Sequence, residues 1–384
     1  MTWSASSGRV SVASAVTIRA ALLPAVGTRL RVVDLELDPP GPGEVRVRLH
    51  ASGVCSDDLN AFDGSVEVPC PAVLGHEGAG VVEEIGGGVD SLRVGDHVAL
   101  SWAPYCGHCD ECLRDLPHLC GTAWPKMLTG GLLDGTTRLR FGGATVHHYC
   151  FLSSFAERAV VPERSCVRIP ADVPFDVAAL VGCAVASGVC AVWRTAGVRP
   201  GERVAVFGLG GTGLAAVVGS VAAGAADIVA VDSQEARLER ARELGATATV
   251  RWEGSPADVA AAVRDASGGG VDYAFEARGR PAAAEAAFMS TRVRGAAVLC
   301  GIPRADATIT LPALSIPRME RRVLGSIYGS ARPDRDFPLI LDLHRRGHLP
   351  LDRLISHRLP LDQAGAAMDL VRSGDATRVI LDLE

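Results

Sequence analysis

Lysine is almost absent from this chain: of 38 basic residues only Lys126 is a lysine, and the 37 arginines are dispersed among 44 acids for a net charge of −6. Such a surface lacks the clustered positive patch that holds nucleic acid, and the arginine bias reads as coding composition. There is no run of 18 or more apolar residues, so no membrane span is expected. The N-terminal segment lacks a basic-then-apolar order, with Arg19 interrupting its apolar stretch, and residues 1 to about 16 read as a tail. With no secretory leader, the 11 cysteines are expected as reduced cytoplasmic thiols, free for metal and not paired as disulfides. Internal repeats and low-complexity tracts are missing as well. Apolar residues are plentiful, at 48% of 384 positions, which is more than one ordinary core requires and implies two domains.

The cysteines fall into two patterns. Cys106, Cys109, Cys112 and Cys120 lie within fifteen residues at spacings of x2, x2 and x7. Thiolates so close along the chain can close a tetrahedral zinc cage unaided, leaving no open position and therefore no chemistry. Cys55, the Gly75-His76-Glu77 triplet and Cys183 are scattered. They could meet only by folding, the way a catalytic zinc with three protein ligands and one open position is assembled. Two zinc ions per chain are expected.

From Val16 to about Ala103 short β-type runs (30–33, 44–49, 80–85 and 96–100) alternate with Gly/Pro punctuation. The cysteine lobe follows, then a Gly-rich loop over 121–143 and a strand near 155–161. Beyond Pro174 strands and helices alternate: strands 203–207, 228–231, 272–275 and 296–300, with helices 212–223, 234–243 and 281–291 between them. That order predicts a parallel sheet with helical crossovers and an α/β fold. Past Ile327 a helix, a strand near 354–359, a helix near 361–373 and a terminal strand 378–383 are expected. Gly208, Gly210, Gly211, Thr212 and Gly213 sit between strand 203–207 and its helix, and Asp232 ends the next strand 24 residues after Gly208. Glycines there admit a pyrophosphate to the helix N-terminus, while the carboxylate receives the adenosine ribose hydroxyls. A 2′-phosphate about 4 Å from Asp232 would meet repulsion on the order of 4 kcal/mol at an effective dielectric of 20, so NAD is expected over NADP.

Gly53-Val54-Cys55-x-x-Asp58, Gly75-His76-Glu77, the Cys106 cluster, Gly182-Cys183 and the Gly208 turn together resemble the zinc-dependent medium-chain alcohol dehydrogenases, from about residue 17 onward. Asp134-Gly135-Thr136-Thr137-Arg138 and Thr145-Val146-His147-His148-Tyr149 resemble that family's long-loop branch. The resemblance implies a GroES-like β-rich catalytic domain with a zinc lobe (1–184), a Rossmann domain (185–326) and a return segment of the catalytic domain (327–384). It further implies Cys55, His76 and Cys183 on the catalytic zinc, Glu77 as an acid able to approach the metal, and Asp58 receiving the free ring N–H of His76. By the same resemblance Arg237 would stand at the adenosine ribose and Arg378 at the pyrophosphate. Trp102, Tyr149, Cys150, Phe155 and Ile327 would line an apolar substrate pocket, and the assembly would be a homodimer acting on a small molecule.

Three positions depart from the family pattern. Asp57 stands where Ser or Thr usually passes the alcohol proton outward, Asn60 where a His often completes that relay, and Ser56 where Arg or His often meets the pyrophosphate. Asp57 can be an altered acid/base, an anchor for a cationic substrate, or a carboxylate turned away. Trp124 stands where the glutathione-dependent formaldehyde branch carries an arginine, so a glutathione adduct is not expected. The reading is an NAD-dependent zinc oxidoreductase for alcohols, aldehydes or ketones. Its alternatives are a reductase of an iminium or conjugated carbonyl, suggested by the missing hydroxyl relay, and a non-enzymatic protein retaining the fold.

Overall fold

The structure, a computed structural model, describes residues 14–384, so most of the N-terminal tail lies outside the described residues. Strand Val16–Leu23 begins the described fold, which the sequence reading passed over because Arg19 breaks the apolar run. Arg19 in fact points outward from a half-buried strand and pairs with Asp362 at 2.5 Å, while Ile18 and Ala20 face the core. This strand pairs with Arg31–Leu37 and with Ala72–Val73 in a small closed barrel. Leu139–Phe141 and Ala144–His148 complete the barrel as a hairpin around Gly142-Gly143, both at positive φ. The expected loop over 121–143 therefore ends in a strand, because two glycines in a two-residue turn form a hairpin signal.

A second sheet carries the long strand Glu44–Val54, paired with Glu77–Ile85, with Arg158–Pro162 and with Val379–Asp382. The last pairing is antiparallel and sets Val379 opposite Val54, so the chain's end returns beside the start of the catalytic segment. Arg378 is thereby delivered next to Cys55.

The third sheet is all parallel, with six strands. Arg203–Phe207 and Val271–Glu276 are central, Asp227–Asp232 and Ala248–Arg251 lie on one side, and Thr291–Leu299 and Arg322–Gly325 lie on the other. In chain order this is 3-2-1-4-5-6, the doubly wound arrangement that binds ligands where the strand order reverses. The reading missed strand Ala248–Arg251 and helix Pro256–Ala266. The helix did carry a start signal: Ser255 and Asp258 form a reciprocal capping box, with Asp258 N–H to Ser255 Oγ at 3.3 Å and Ser255 N–H to Asp258 Oδ2 at 2.9 Å.

Between these bodies runs helix Phe175–Ala196. It is long and apolar enough by length and composition to cross a membrane, although most of it is packed inside the fold. The expected boundary at 184/185 falls within this helix. Two π-helical turns interrupt it, Val181–Val185 and Ala191–Ala196.

Candidate active site

Cys55 is the N-cap of helix Ser56–Asp63, immediately after strand Glu44–Val54. Asp58 in the first turn of that helix is fully buried and organises three groups. One oxygen accepts the Cys55 N–H at 2.9 Å, and the other meets the Gly75 N–H at 3.1 Å and His76 Nδ1 at 3.0 Å. A single carboxylate thus fixes the loop before His76, its ring orientation and the cysteine's backbone together. With Nδ1 engaged, His76 Nε2 is left buried and unpartnered. A buried ring nitrogen without a partner is costly unless a ligand receives it.

Cys183 comes from the π-helical turn Val181–Val185, a local widening of the kind that often marks functional positions. The Tyr328 hydroxyl donates to the Gly182 carbonyl and holds that turn. The donor atoms of Cys55, Asp57, His76 and Cys183 all lie within 4.8 Å of one another. Contact with the Cys183 thiol, more than His76 or Arg378, holds the Cys55 thiol well below its usual range, and the same contact with burial pushes Cys183 up. Desolvation, then the charge on Cys55, pushes the Asp57 carboxyl up to about 7. Two thiols, an orphaned imidazole nitrogen and a carboxylate converging in a buried space fit Zn²⁺.

Glu77 lies beside the metal group but outside its four donors. It pairs with Arg378, both nearly inaccessible, and accepts the Ala184 N–H at 3.3 Å. Both contacts fall on Oε1, delivered in part by the returning C-terminal strand, while Oε2 is buried without a hydrogen-bond partner. The cysteine lobe forms a second group, with Cys106, Cys109, Cys112 and Cys120 sulfurs within 4.8 Å of one another. Cys106 Sγ accepts N–H groups from Cys109 at 3.3 Å and His108 at 3.5 Å, as suits a thiolate. The lobe's helix Asp110–Leu113 buries none of its residues, so a metal in the cage has a structural role there.

At the Gly-rich turn each glycine answers a different need. Gly208 has φ +89°. A Cβ on Gly213 would stand 1.8 Å from the Gly208 carbonyl oxygen, so helix and strand could not close. A Cβ on Gly210 would meet nothing within 4 Å, so this backbone faces open space. Beside the turn, Arg378 Nε is buried and unpartnered, about 3.1 Å from where a Gly211 Cβ would lie. Its guanidinium also reaches the Val54 carbonyl at 3.3 Å, so one side chain spans the turn and the metal-binding loop. An unmet cationic N–H next to an open glycine backbone fits a pyrophosphate. Asp232 accepts the Leu209 N–H at 2.8 Å and the Gln234 N–H at 3.1 Å, and Arg237 stands 3.8 Å away. Sequence reasoning missed Arg278, 3.9 Å from Asp232, and Trp252, which with Phe207, Gly208, Val231 and Ser233 line a cavity of 260 Å³. Arg278 was within reach of the reading, since it follows strand Val271–Glu276 at the edge where such sheets bind ligands.

Of the expected pocket residues, Trp102, Tyr149 and Cys150 are buried, with the Tyr149 ring edge-on to His76 at 5.7 Å and the Trp102 ring tilted 43° against Tyr328 at 4.4 Å. Ile327 is half-buried. Phe155 is fully buried against Gly75 and braces the loop, so it is not pocket wall.

The description "Alcohol dehydrogenase GroES-like domain" matches residues 41–171, and "Zinc-binding dehydrogenase" matches residues 211–345. The chain belongs to the zinc-binding alcohol dehydrogenases. It is similar to an alcohol dehydrogenase zinc-binding domain protein from Burkholderia ambifaria, at 35% identity and TM-score 0.93 over 97% of this chain and 100% of that one. It is also similar to benzyl alcohol dehydrogenase from Acinetobacter calcoaceticus, at 32% identity and TM-score 0.91 over 96% and 99% of the two chains. A zinc-binding dehydrogenase structure from Sinorhizobium meliloti 1021 bound to NADP is 26% identical, with TM-score 0.78 over 96% and 99%. Membership makes the chain an oxidoreductase with a GroES-like and a Rossmann-type domain.

Proposed function

We propose that the protein transfers a hydride between NAD(H) and a primary alcohol or aldehyde with an aromatic or otherwise apolar body, using two zinc ions per chain. The observation that carries the reading is the buried convergence of Cys55, His76 and Cys183 donors with an orphaned His76 Nε2, one Arg378 side chain away from the glycine turn. Zinc held by those residues would polarise the substrate oxygen. The Gly210 backbone and Arg378 would hold the pyrophosphate, Asp232 and Arg237 the adenosine ribose, and Trp102 and Tyr149 would shelter the substrate body from water. Asp232 supports NAD over NADP through its charge, and the benzyl alcohol relative supports an aromatic substrate.

Metal analysis tests the zinc assignment. The parent should hold about two zinc ions per chain, and Cys55→Ala should lose one and all redox activity while remaining folded. Cys109→Ser should lose the other and melt at lower temperature. A Cys55→Ala protein with undiminished zinc and activity would end the reading.

A further inference from the structure

Asp57 is the one member of the four-donor group that the family pattern does not supply. It follows Cys55 by two positions on the first turn of helix Ser56–Asp63, so the geometry that presents the cysteine also presents the carboxylate. Two contacts hold it there. Asn60 Nδ2 donates to Asp57 Oδ1 at 3.4 Å, and the Tyr149 hydroxyl donates to the Asp57 carbonyl at 2.9 Å. Asp57 Oδ2 has no hydrogen-bond partner among the described residues. Of the other acids close by, Asp58 has both oxygens engaged by Cys55, Gly75 and His76, and Glu77 stands outside the four-donor group with its Oε1 on Arg378 and the Ala184 N–H. The two departures from the relay pattern thus belong together: Asn60 steers a carboxylate where a histidine would have passed on a proton.

We propose that Asp57 is the fourth protein donor of the Cys55–His76–Cys183 site, closing in the resting enzyme the position that a substrate oxygen must enter. This rests on the reading of those three residues as a zinc site. Carboxylate oxygen is a normal zinc donor beside sulfur and imidazole nitrogen. Two thiolates, a carboxylate and a neutral imidazole give the site a net charge of −1 around Zn²⁺, where three donors would leave it neutral. A site closed in this way holds zinc more tightly and resists small neutral ligands. A substrate gains entry only by exchanging with Asp57, whose carboxylate stays tethered by Asn60 beside the incoming hydroxyl. The cost of that exchange selects for substrates whose bodies bind firmly elsewhere in the pocket.

The test uses the zinc-loaded full chain. Chelator competition measures zinc affinity in the parent, in Asp57→Ala and in Asp57→Asn, which keeps the side-chain shape. Both variants should lose catalytic-site affinity by at least about tenfold, the scale seen for losing even a supporting partner of a metal ligand, while the four-cysteine zinc stays bound and reports a folded chain. In the Co²⁺-substituted protein, imidazole should perturb the visible bands of both variants at concentrations that leave the parent's unchanged. Equal zinc affinity and an equal imidazole response in all three proteins would overturn the proposal, while alcohol turnover in the parent would leave the zinc reading standing. A parent with only one zinc, unaltered in Cys55→Ala, would remove the zinc reading and the proposal with it.

Discussion

At the scale of single residues, charge in confined places governs behaviour. Asp232 is nearly inaccessible, and its oxygens already receive two backbone N–H groups, so it orders the turn, and under the proposed function it would repel a 2′-phosphate. Arg237 and Arg278 at just under 4 Å would moderate that repulsion. Asp232→Ser should therefore raise kcat/KM with NADP relative to NAD by about tenfold or more, a conservative share of the roughly 4 kcal/mol bare repulsion. It should also raise KM for NAD, because the Leu209 N–H loses its acceptor. A parent that already prefers NADP would refute the assignment. His148 is a second such residue. Burial, then the nearby Arg138, hold its imidazole down to about 3, against Asp134, which pulls upward. The folded chain then stays neutral at His148 while the unfolded chain takes up a proton below its ordinary value of 6.5. Stability from this group is present above 6.5 and lost as pH falls toward 3; by pH 5 the loss is roughly 2 kcal/mol. His148→Gln should melt with a smaller drop in Tm between pH 7.5 and 5 than the parent, and an identical drop would show that His148 is protonated in the fold.

At the scale of elements, the glycine turn separates folding from binding. Gly213→Ala should destabilise the free protein, since its methyl would collide with the Gly208 carbonyl oxygen. Gly210→Ala should fold with a parental Tm, its φ of −74° and open surroundings accepting a methyl. Its dissociation constant for NADH should nonetheless rise by tenfold or more, because the methyl occupies the space assigned to the pyrophosphate. Parental NADH affinity in Gly210→Ala would place the dinucleotide elsewhere. Both glycines were readable as a motif; which one guards packing and which one guards the ligand was not, because that depends on what faces each Cα. The same limit applies around Cys55. The sequence supplied Cys55, Asp58, His76 and Cys183, but left the orientation of Asp57 open, since a helix's first turn can aim a side chain into the site or along its rim. The pairing of Glu77 with Arg378 was hidden for a related reason: the two are 301 residues apart in sequence and meet only through strand pairing.

At the scale of the whole molecule, two connections turn separate motifs into one site. Helix Phe175–Ala196 carries Cys183 to Cys55 and His76, and strand Val379–Asp382 brings Arg378 back to Val54 and the glycine turn. The parallel sheet was legible because its strands and helices alternate with clear turn signals. The small barrel was less so, since its strands are short and one is broken in appearance by Arg19. Under the proposed function these parts assemble a zinc- and NAD-dependent alcohol dehydrogenase with an apolar pocket. The most direct measurement is the appearance of NADH absorbance when zinc-loaded protein meets NAD and a panel of benzylic and aliphatic alcohols, run beside Cys55→Ala. NADH should form with the parent, fastest with benzylic alcohols, and not with the variant. No NADH from any alcohol, together with no NADH consumption with the matching aldehydes, would contradict that function.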